Sequence, residues 1–286
     1  MVALPQGEVA MLRREGRGGT LVFAHANGLN KSAYGPMFEA LGIGEALVAF
    51  DARGHGRTEL PAPPSRLRSW TLYADDLIAA LAALDPEPPV TLVGHSMGAV
   101  SALLAVAGGA PVSRLVMIEP VIVPDAARLA ARTPFLGAAM PRLLPIARRP
   151  ARRRDGWPDP AAAREAFARS RFFGAWHEAA LAGYLRDGLR PDGETVRLAC
   201  DPAWEAASFA AQAHRFWGPL RRVAQRGVPV HALHVDQGST VPRAAPGRLA
   251  RAGVAVARAH GDHLLPLHRP RDAAAFLRLA ARGGGA

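Results

Sequence analysis

The chain alternates between short apolar runs and longer segments whose apolar residues recur at helical spacing. Nearly continuous apolar runs, typical of strands covered on both faces, lie at residues 20–24, 46–50, 90–93, 115–118, 229–235 and 254–257. A run at 8–14 alternates more and is typical of an edge strand. Helical spacing predicts helices at 32–41, 70–84, from the end of the 90–93 strand to about 107, and at 272–281. Strands that alternate with helices predict an α/β fold with a mostly parallel central sheet flanked by helices.

Between residues 124 and 223 this alternation stops, and helical segments punctuated by proline follow with no clear strand. The pattern predicts a helical cap at 124–223, inserted into a core formed by residues 1–123 and 224–286. Six of the ten phenylalanines and four of the five tryptophans fall in the insertion. We expect most of them to be packed within it and a few to line a pocket, because ligand pockets are mostly apolar.

Composition narrows the class of protein. At 286 residues with 49% hydrophobic residues, the chain can bury a large core. A single cysteine, Cys200, cannot form an internal disulfide, which indicates a reducing compartment and predicts a cytoplasmic protein. Residues 1–8 lack the features of a secretion signal, and we find no apolar run long enough to cross a bilayer.

The net charge of +11 comes from arginine, because Lys31 is the only lysine. The use of arginine in place of lysine is typical of a GC-rich coding bias. No helix-turn-helix, zinc-finger or aromatic RNA-binding pattern accompanies it, so we predict no nucleic-acid partner. We expect the basic run Arg148–Arg154 to be a solvated face rather than an anion site.

The 90–93 strand ends in Gly94-His95-Ser96-Met97-Gly98, and a helical run follows at once. A serine on so sharp a turn has its hydroxyl lifted above the sheet edge, and glycines on either side remove side chains that would collide. The helix adds unpaired amides and a positive dipole end where negative charge would develop. The pattern therefore predicts a nucleophile at Ser96.

Three further motifs occur in order with this one: His25-Ala26-Asn27-Gly28, residues 51–56 (Asp-Ala-Arg-Gly-His-Gly), and Gly261-Asp262-His263. Together they resemble the α/β-hydrolase superfamily over nearly the whole chain, as a serine esterase or lipase-like member with a helical cap. The resemblance implies that His263 is the general base and that the remaining motif histidines, His25, His55 and His95, hold loops. It also implies an oxyanion hole made by the amides of Met97 and Asn27, with Ala26 where the family often has glycine.

The acid of the triad has two candidate positions. The commonest family position precedes a Ser/Thr-Val-Pro motif, but here Gly238 stands there, before Ser239, and the nearest acid is Asp236. In some members the acid instead follows the strand after the nucleophile's helix, which here places Glu119 after the 115–118 strand. We favour Glu119, because a buried carboxylate is costly unless it is paired and a histidine N–H would pair it. Asp236 stays open as the alternative.

These residues predict a serine hydrolase, most specifically a carboxylesterase for small to medium apolar esters. It would act through an acyl-enzyme on Ser96 and need no cofactor or metal. A carbon–carbon bond hydrolase or a cofactor-free perhydrolase could use the same triad. From another class, the chain could be a ligand-binding module that retains the triad without turnover. The sequence predicts no oligomeric state.

Overall fold

The computed structural model describes residues 1–133 and 145–281. Seven strands of this part of the chain form one sheet: β3 Met11–Arg14, β4 Thr20–Ala24, β5 Ala46–Phe50, β6 Val90–His95, β7 Arg114–Ile118, β11 Val230–Val235 and β12 Val254–Ala259. They lie in the order β12-β11-β7-β6-β4-β5-β3 and are parallel except for the edge strand β3. The predicted α/β fold with a mostly parallel sheet is confirmed.

The prediction of an edge strand at 8–14 is confirmed for Met11–Arg14, because β3 lies at the edge of the sheet, but the predicted extent is wrong. Gly7–Val9 (β2) pairs with Val2–Leu4 (β1) in a separate hairpin, and only β3 joins the main sheet. The break falls at Ala10, whose amide donates to Thr58 Oγ1 at 2.9 Å and whose carbonyl accepts from Asp51. Ala10 thus bonds to the loop that follows β5 instead of continuing a strand.

Helices cover both faces of the sheet. Their bounds outside the predicted insertion are α1 Gly35–Leu41, α2 Thr71–Leu84, α3 Met97–Ala107, α10 Ala245–Arg251, α11 Leu265–His268 and α12 Pro270–Ala281. Successive strand residues point to opposite faces: Val22 packs with α2 and α3, whereas Leu21 and Phe23 pack with α1 and α12. Each face therefore has its own apolar core. Side chains with chemical roles are expected in the loops at the carboxyl ends of the strands.

The predicted insertion, residues 124–223, contains helices α4 Asp125–Arg132, α5 Pro145–Arg148, α6 Pro160–Ala168, α7 Glu178–Gly188, α8 Pro202–Ala210 and α9 Trp217–Gln225. The prediction that it has no strand is wrong. Gly156–Trp157 (β8), Leu189–Asp192 (β9) and Thr195–Leu198 (β10) form a small antiparallel sheet in the order β8-β10-β9. Strands of two to four residues are too short for a hydrophobic period.

Most aromatic side chains of this segment are buried, as expected. Trp157, Phe167 and Trp176 pack in the core that includes α1, whereas Trp204 and Phe216 pack in the core that includes α3. Phe172 is an exception and is 53% exposed. Phe135 lies outside the described residues.

The basic run is mostly solvated, as expected, since Arg148, Arg149, Arg152 and Arg154 are exposed. Arg153 is the exception. Its guanidinium donates to Glu205 Oε2 at 2.7 Å and to the Tyr184 hydroxyl at 3.0 Å. One member of the run therefore joins helices α7 and α8. Within the described ranges, no helix is both long and apolar enough to span a bilayer.

Candidate active site

The bend between β6 and α3 is the first element of the site. Ser96 has φ 56° and ψ −116°, a conformation that a residue with a side chain adopts at a cost. A Cβ at Gly94 would lie 2.3 Å from the Gly98 carbonyl oxygen, and one at Gly98 would lie 2.2 Å from the Ala24 carbonyl oxygen. Both glycines are therefore required by space, which is the physical reason for the spacing seen in the sequence.

The bend points the Ser96 hydroxyl at the imidazole of His263. Their atoms Oγ and Nε2 are 2.9 Å apart, although the residues are 167 positions apart in the chain. His263 lies between β12 and α11, and its side chain is 24% exposed. The distance is that of a hydrogen bond through which a base can take the serine proton.

Glu119 lies on the other side of the same ring. Its Oε2 is 3.0 Å from His263 Nδ1, and its carboxylate is fully buried. Because a carboxylate only accepts, Nδ1 carries the proton and Nε2 is free to accept from Ser96. Glu119 has φ +48°, so the residue directly after β7 is, like Ser96, held in a rarely adopted conformation.

Four donors lie within 3.0 Å of the Glu119 carboxylate oxygens. Besides His263, they are the Val235 amide at 2.8 Å, the Ser239 hydroxyl at 2.6 Å and the Thr240 amide at 2.9 Å. Burial alone would raise the pKa of Glu119, but the hydrogen bonds outweigh it and keep this pKa below its usual value. Glu119 is therefore an anion at neutral pH.

Asp236, the alternative acid, does not contact His263. Its carboxylate accepts from the Gly261 amide at 3.0 Å and lies 2.8 Å from His260 Nδ1. It thus ties the end of β11 to the loop that carries His263. These hydrogen bonds, first the one from the Gly261 amide, lower the pKa of Asp236.

The two amides named for the oxyanion hole come from two elements that approach each other closely, since a Cβ on Gly98 would lie 2.6 Å from the His25 carbonyl oxygen. Met97 is the first residue of α3, and Asn27 lies in the loop after β4. Among the described residues we find no acceptor for either amide N–H. For Met97 this is usual, because the first N–H groups of a helix have no partner within it. The Asn27 side chain donates to the Glu205 carbonyl at 3.0 Å, which fixes this loop against α8.

The motif histidines lie in the loops around the site. His25 Nε2 accepts from the Ala52 amide at 2.9 Å, and His55 Nε2 accepts from the Gly28 amide at 3.0 Å. Burial lowers the pKa of His25 to about 4 and that of His55 and His95 to about 3. Each ring is therefore neutral at pH 7, and each holds a backbone group in place.

Because these buried rings are neutral, we expect acid to destabilise the fold. Burial also lowers the pKa of His214 to about 4. Because unfolded histidines titrate near pH 6.5, the unfolded chain binds more protons than the folded one between about pH 6.5 and 4. As the pH is lowered through this window, the free energy of unfolding should therefore decrease by up to about 1.4 kcal/mol per pH unit for each such histidine.

Urea unfolding at pH values across this window measures the slope. The variant His214→Phe, which removes a buried histidine stacked on Trp70, should show a shallower slope than the wild type. Equal free energies of unfolding at neutral pH and near pH 5 would contradict this prediction.

Sequence reasoning missed several residues around the site. In the sequence, Ser239-Thr240 marks only the position of an absent aspartate, yet both residues bind Glu119. The sequence assigns no role to Glu205, but it contacts the Asn27 loop through its backbone. No signal for these contacts exists in the spacing of the residues. Within the described part of the chain, no three His, Cys, Asp or Glu side chains are grouped so as to hold a metal ion.

Comparisons with known proteins agree with this fold. A model of the alpha/beta hydrolase family matches residues 21–276. No curated protein matches the sequence. Among solved structures, E-2-(acetamidomethylene)succinate hydrolase is 20% identical with a TM-score of 0.72, covering 96% of each chain. An esterase of M. tuberculosis is 19% identical with a TM-score of 0.70, covering 99% of this chain and 92% of its own.

A third similar structure is a hypothetical protein of Pseudomonas aeruginosa PAO1, which is 22% identical with a TM-score of 0.73 and matches over 99% of this chain and 98% of its own. At these sequence identities, structural similarity supports the fold alone. The family model spans far more than half of the chain, with the four motifs inside it. The chain therefore belongs to the alpha/beta hydrolase family.

Proposed function

We propose that this protein is a serine hydrolase that cleaves carboxylic esters through an acyl-enzyme on Ser96. One observation carries the proposal. The hydroxyl of Ser96, the ring of His263 and the buried carboxylate of Glu119 are joined by hydrogen bonds of 2.9 and 3.0 Å in the order that nucleophilic catalysis needs. The similar structures named as a hydrolase and an esterase support a reaction of this class.

In the proposed reaction, Ser96 Oγ attacks the acyl carbon while its proton moves to His263 Nε2. The carbonyl oxygen becomes an oxyanion that accepts from the amides of Asn27 and Met97. Such donors are each worth about 3 to 4 kcal/mol in the transition state. The tetrahedral intermediate collapses as His263 returns the proton to the leaving alcohol.

Water then attacks the acyl-enzyme and gives its proton to His263, and the second tetrahedral intermediate releases the carboxylic acid and restores Ser96. Throughout, Glu119 holds the ring and stabilises its positive charge. Every proton in this cycle passes through one nitrogen, His263 Nε2. The proposed chemistry therefore needs no cofactor.

We further propose that residues 124–223 are a cap that selects the substrate. Support comes from α8, which contacts the Asn27 loop through Glu205 and the Met97 side chain through Ser208. The aromatic content of this segment favours small to medium apolar esters. A cytoplasmic location stays a prediction, supported by the single, buried cysteine.

A fluorophosphonate probe tests the proposed function, because it reacts readily with an activated serine and not with an ordinary one. We expect one label on the wild type, none on Ser96→Ala, and a burst of p-nitrophenol from p-nitrophenyl esters before steady turnover. The variant Ser101→Ala is a suitable control, because Ser101 is a buried serine of α3 whose hydroxyl bonds to the Met97 carbonyl.

This control should keep the label. A wild type that takes no label and releases no alcohol from any ester of a chain-length panel would contradict the proposal. Ligand binding that persists in Ser96→Ala without turnover in the wild type would instead favour a binding module.

A further inference from the structure

A buried chain of hydrogen bonds connects the two loops of the site. Its centre is His95, the residue before the nucleophile, which is fully buried. His95 Nε2 lies 2.9 Å from the carbonyl oxygen of His263. A carbonyl can only accept, so this nitrogen carries the proton and His95 Nδ1 is left as an acceptor.

The next link is Tyr34, whose hydroxyl lies 2.7 Å from His95 Nδ1. The same hydroxyl oxygen accepts from the Ala26 amide at 3.1 Å. Because a phenol is both donor and acceptor, it can serve the ring and the amide at once. The order of donors is therefore fixed: the Ala26 amide donates to Tyr34, Tyr34 donates to His95, and His95 donates to the His263 carbonyl.

The two ends of this series of hydrogen bonds are backbone groups next to residues of the proposed reaction. Ala26 directly precedes Asn27, whose amide is a proposed oxyanion donor, and the His263 carbonyl belongs to the proposed general base. The Tyr34 ring is itself fixed, since it packs against Phe23 with ring centroids 4.6 Å apart. The donor-to-acceptor direction of these hydrogen bonds is also stable, because burial lowers the pKa of His95 to about 3 and keeps the ring neutral.

We propose that Tyr34 and His95 are positioning residues, which hold the Asn27 loop and the His263 loop at a fixed distance from each other. This proposal rests on the proposed function, since it assigns the two residues to the same reaction. The nucleophile and its helix are placed by the sheet, whereas these two loops come from distant parts of the chain. The oxyanion donor and the base act on opposite sides of the reacting carbon, so a shift of one loop against the other weakens catalysis more than substrate binding.

The variant Tyr34→Phe tests the proposal because it keeps the ring and removes both hydrogen bonds. We expect kcat to fall about tenfold or more with KM changed less than about threefold. The matched control is Tyr73→Phe. Tyr73 is also a buried tyrosine, but its hydroxyl bonds to Ser208. The control should lose similar stability and keep kcat within about twofold of the wild type.

A pair of substitutions at His95 gives a second measurement. Glutamine can still donate to the His263 carbonyl, whereas leucine cannot. We expect His95→Gln to be about tenfold more active in kcat than His95→Leu at similar KM. A fall in kcat for Tyr34→Phe no larger than that for Tyr73→Phe, or equal kcat for the two His95 variants, would overturn the proposal.

A readout independent of turnover separates this proposal from the proposed function. In protein labelled with 15N at histidine, His95 should show a proton on Nε2 alone, and Tyr34→Phe should shift the Nδ1 resonance of His95 while Tyr73→Phe leaves it unchanged. The opposite tautomer of His95 would overturn the hydrogen-bond chain even in an active enzyme. Failure of fluorophosphonate labelling with the expected tautomer would instead count against the serine hydrolase.

Discussion

Replacing Glu119 by glutamine is expected to lower kcat for ester hydrolysis by about 10⁴-fold. The side chain keeps its size, but an amide offers one acceptor oxygen where four donors now lie within 3.0 Å. The amide group can also present an N–H to His263 Nδ1, which favours the tautomer with its proton on Nε2. In that tautomer the ring cannot take the proton of Ser96.

The matched control is Asp236→Asn, the same chemical change at the other candidate acid. Asp236 contacts the Gly261 amide and the His260 ring but not His263. We expect this variant to lose less than about tenfold in kcat, because one oxygen suffices to hold the loop. Steady-state kinetics on a p-nitrophenyl ester compares the two. A large loss in Asp236→Asn and a small one in Glu119→Gln would show that Asp236 is the acid.

The position of Glu119 could be predicted because the resemblance to the α/β-hydrolase superfamily implies a site for the acid after the strand that follows the nucleophile's helix. The strand after the nucleophile's helix lies next to β6, so a residue at its carboxyl end is close to Ser96. What stabilises the carboxylate could not be predicted. Ser239 and Thr240 lie about 120 positions further along the chain, and only the packing of β11 beside β7 brings them to Glu119.

The other departures from the sequence-based predictions have similar causes. The strands β8, β9 and β10 are too short to show alternation, although Gly193, the first residue of the two-residue loop between β9 and β10, is a hairpin signal. Tyr34 lies in a segment predicted as helix, and no periodicity reveals that its hydroxyl reaches His95. Long-range polar contacts depend on side-chain direction, which hydrophobic spacing does not encode.

The second large predicted effect is on stability, and it concerns a glycine of the bend between β6 and α3. Replacing Gly98 by alanine should lower the free energy of unfolding by about 3 kcal/mol or more, because the added methyl group would lie 2.2 Å from the Ala24 carbonyl oxygen and 2.6 Å from that of His25. Both contacts are backbone atoms of β4 and the loop that follows it. Neither can rotate away as a side chain would, so α3 and this loop must separate.

That separation should also lower kcat of the protein that still folds, since the Met97 amide lies at the start of α3 and the Asn27 amide lies in the displaced loop. Gly218→Ala in α9 is the control, because nothing lies within 4 Å of the methyl group it adds. This variant should keep the free energy of unfolding within about 0.5 kcal/mol of the wild type, because the change is only partly buried and adds no close contact. Urea unfolding followed by tryptophan fluorescence measures both variants. A Gly98→Ala protein as stable as Gly218→Ala would mean that α3 does not approach β4 as closely as the structure has it, and the placement of Ser96 would then need another explanation.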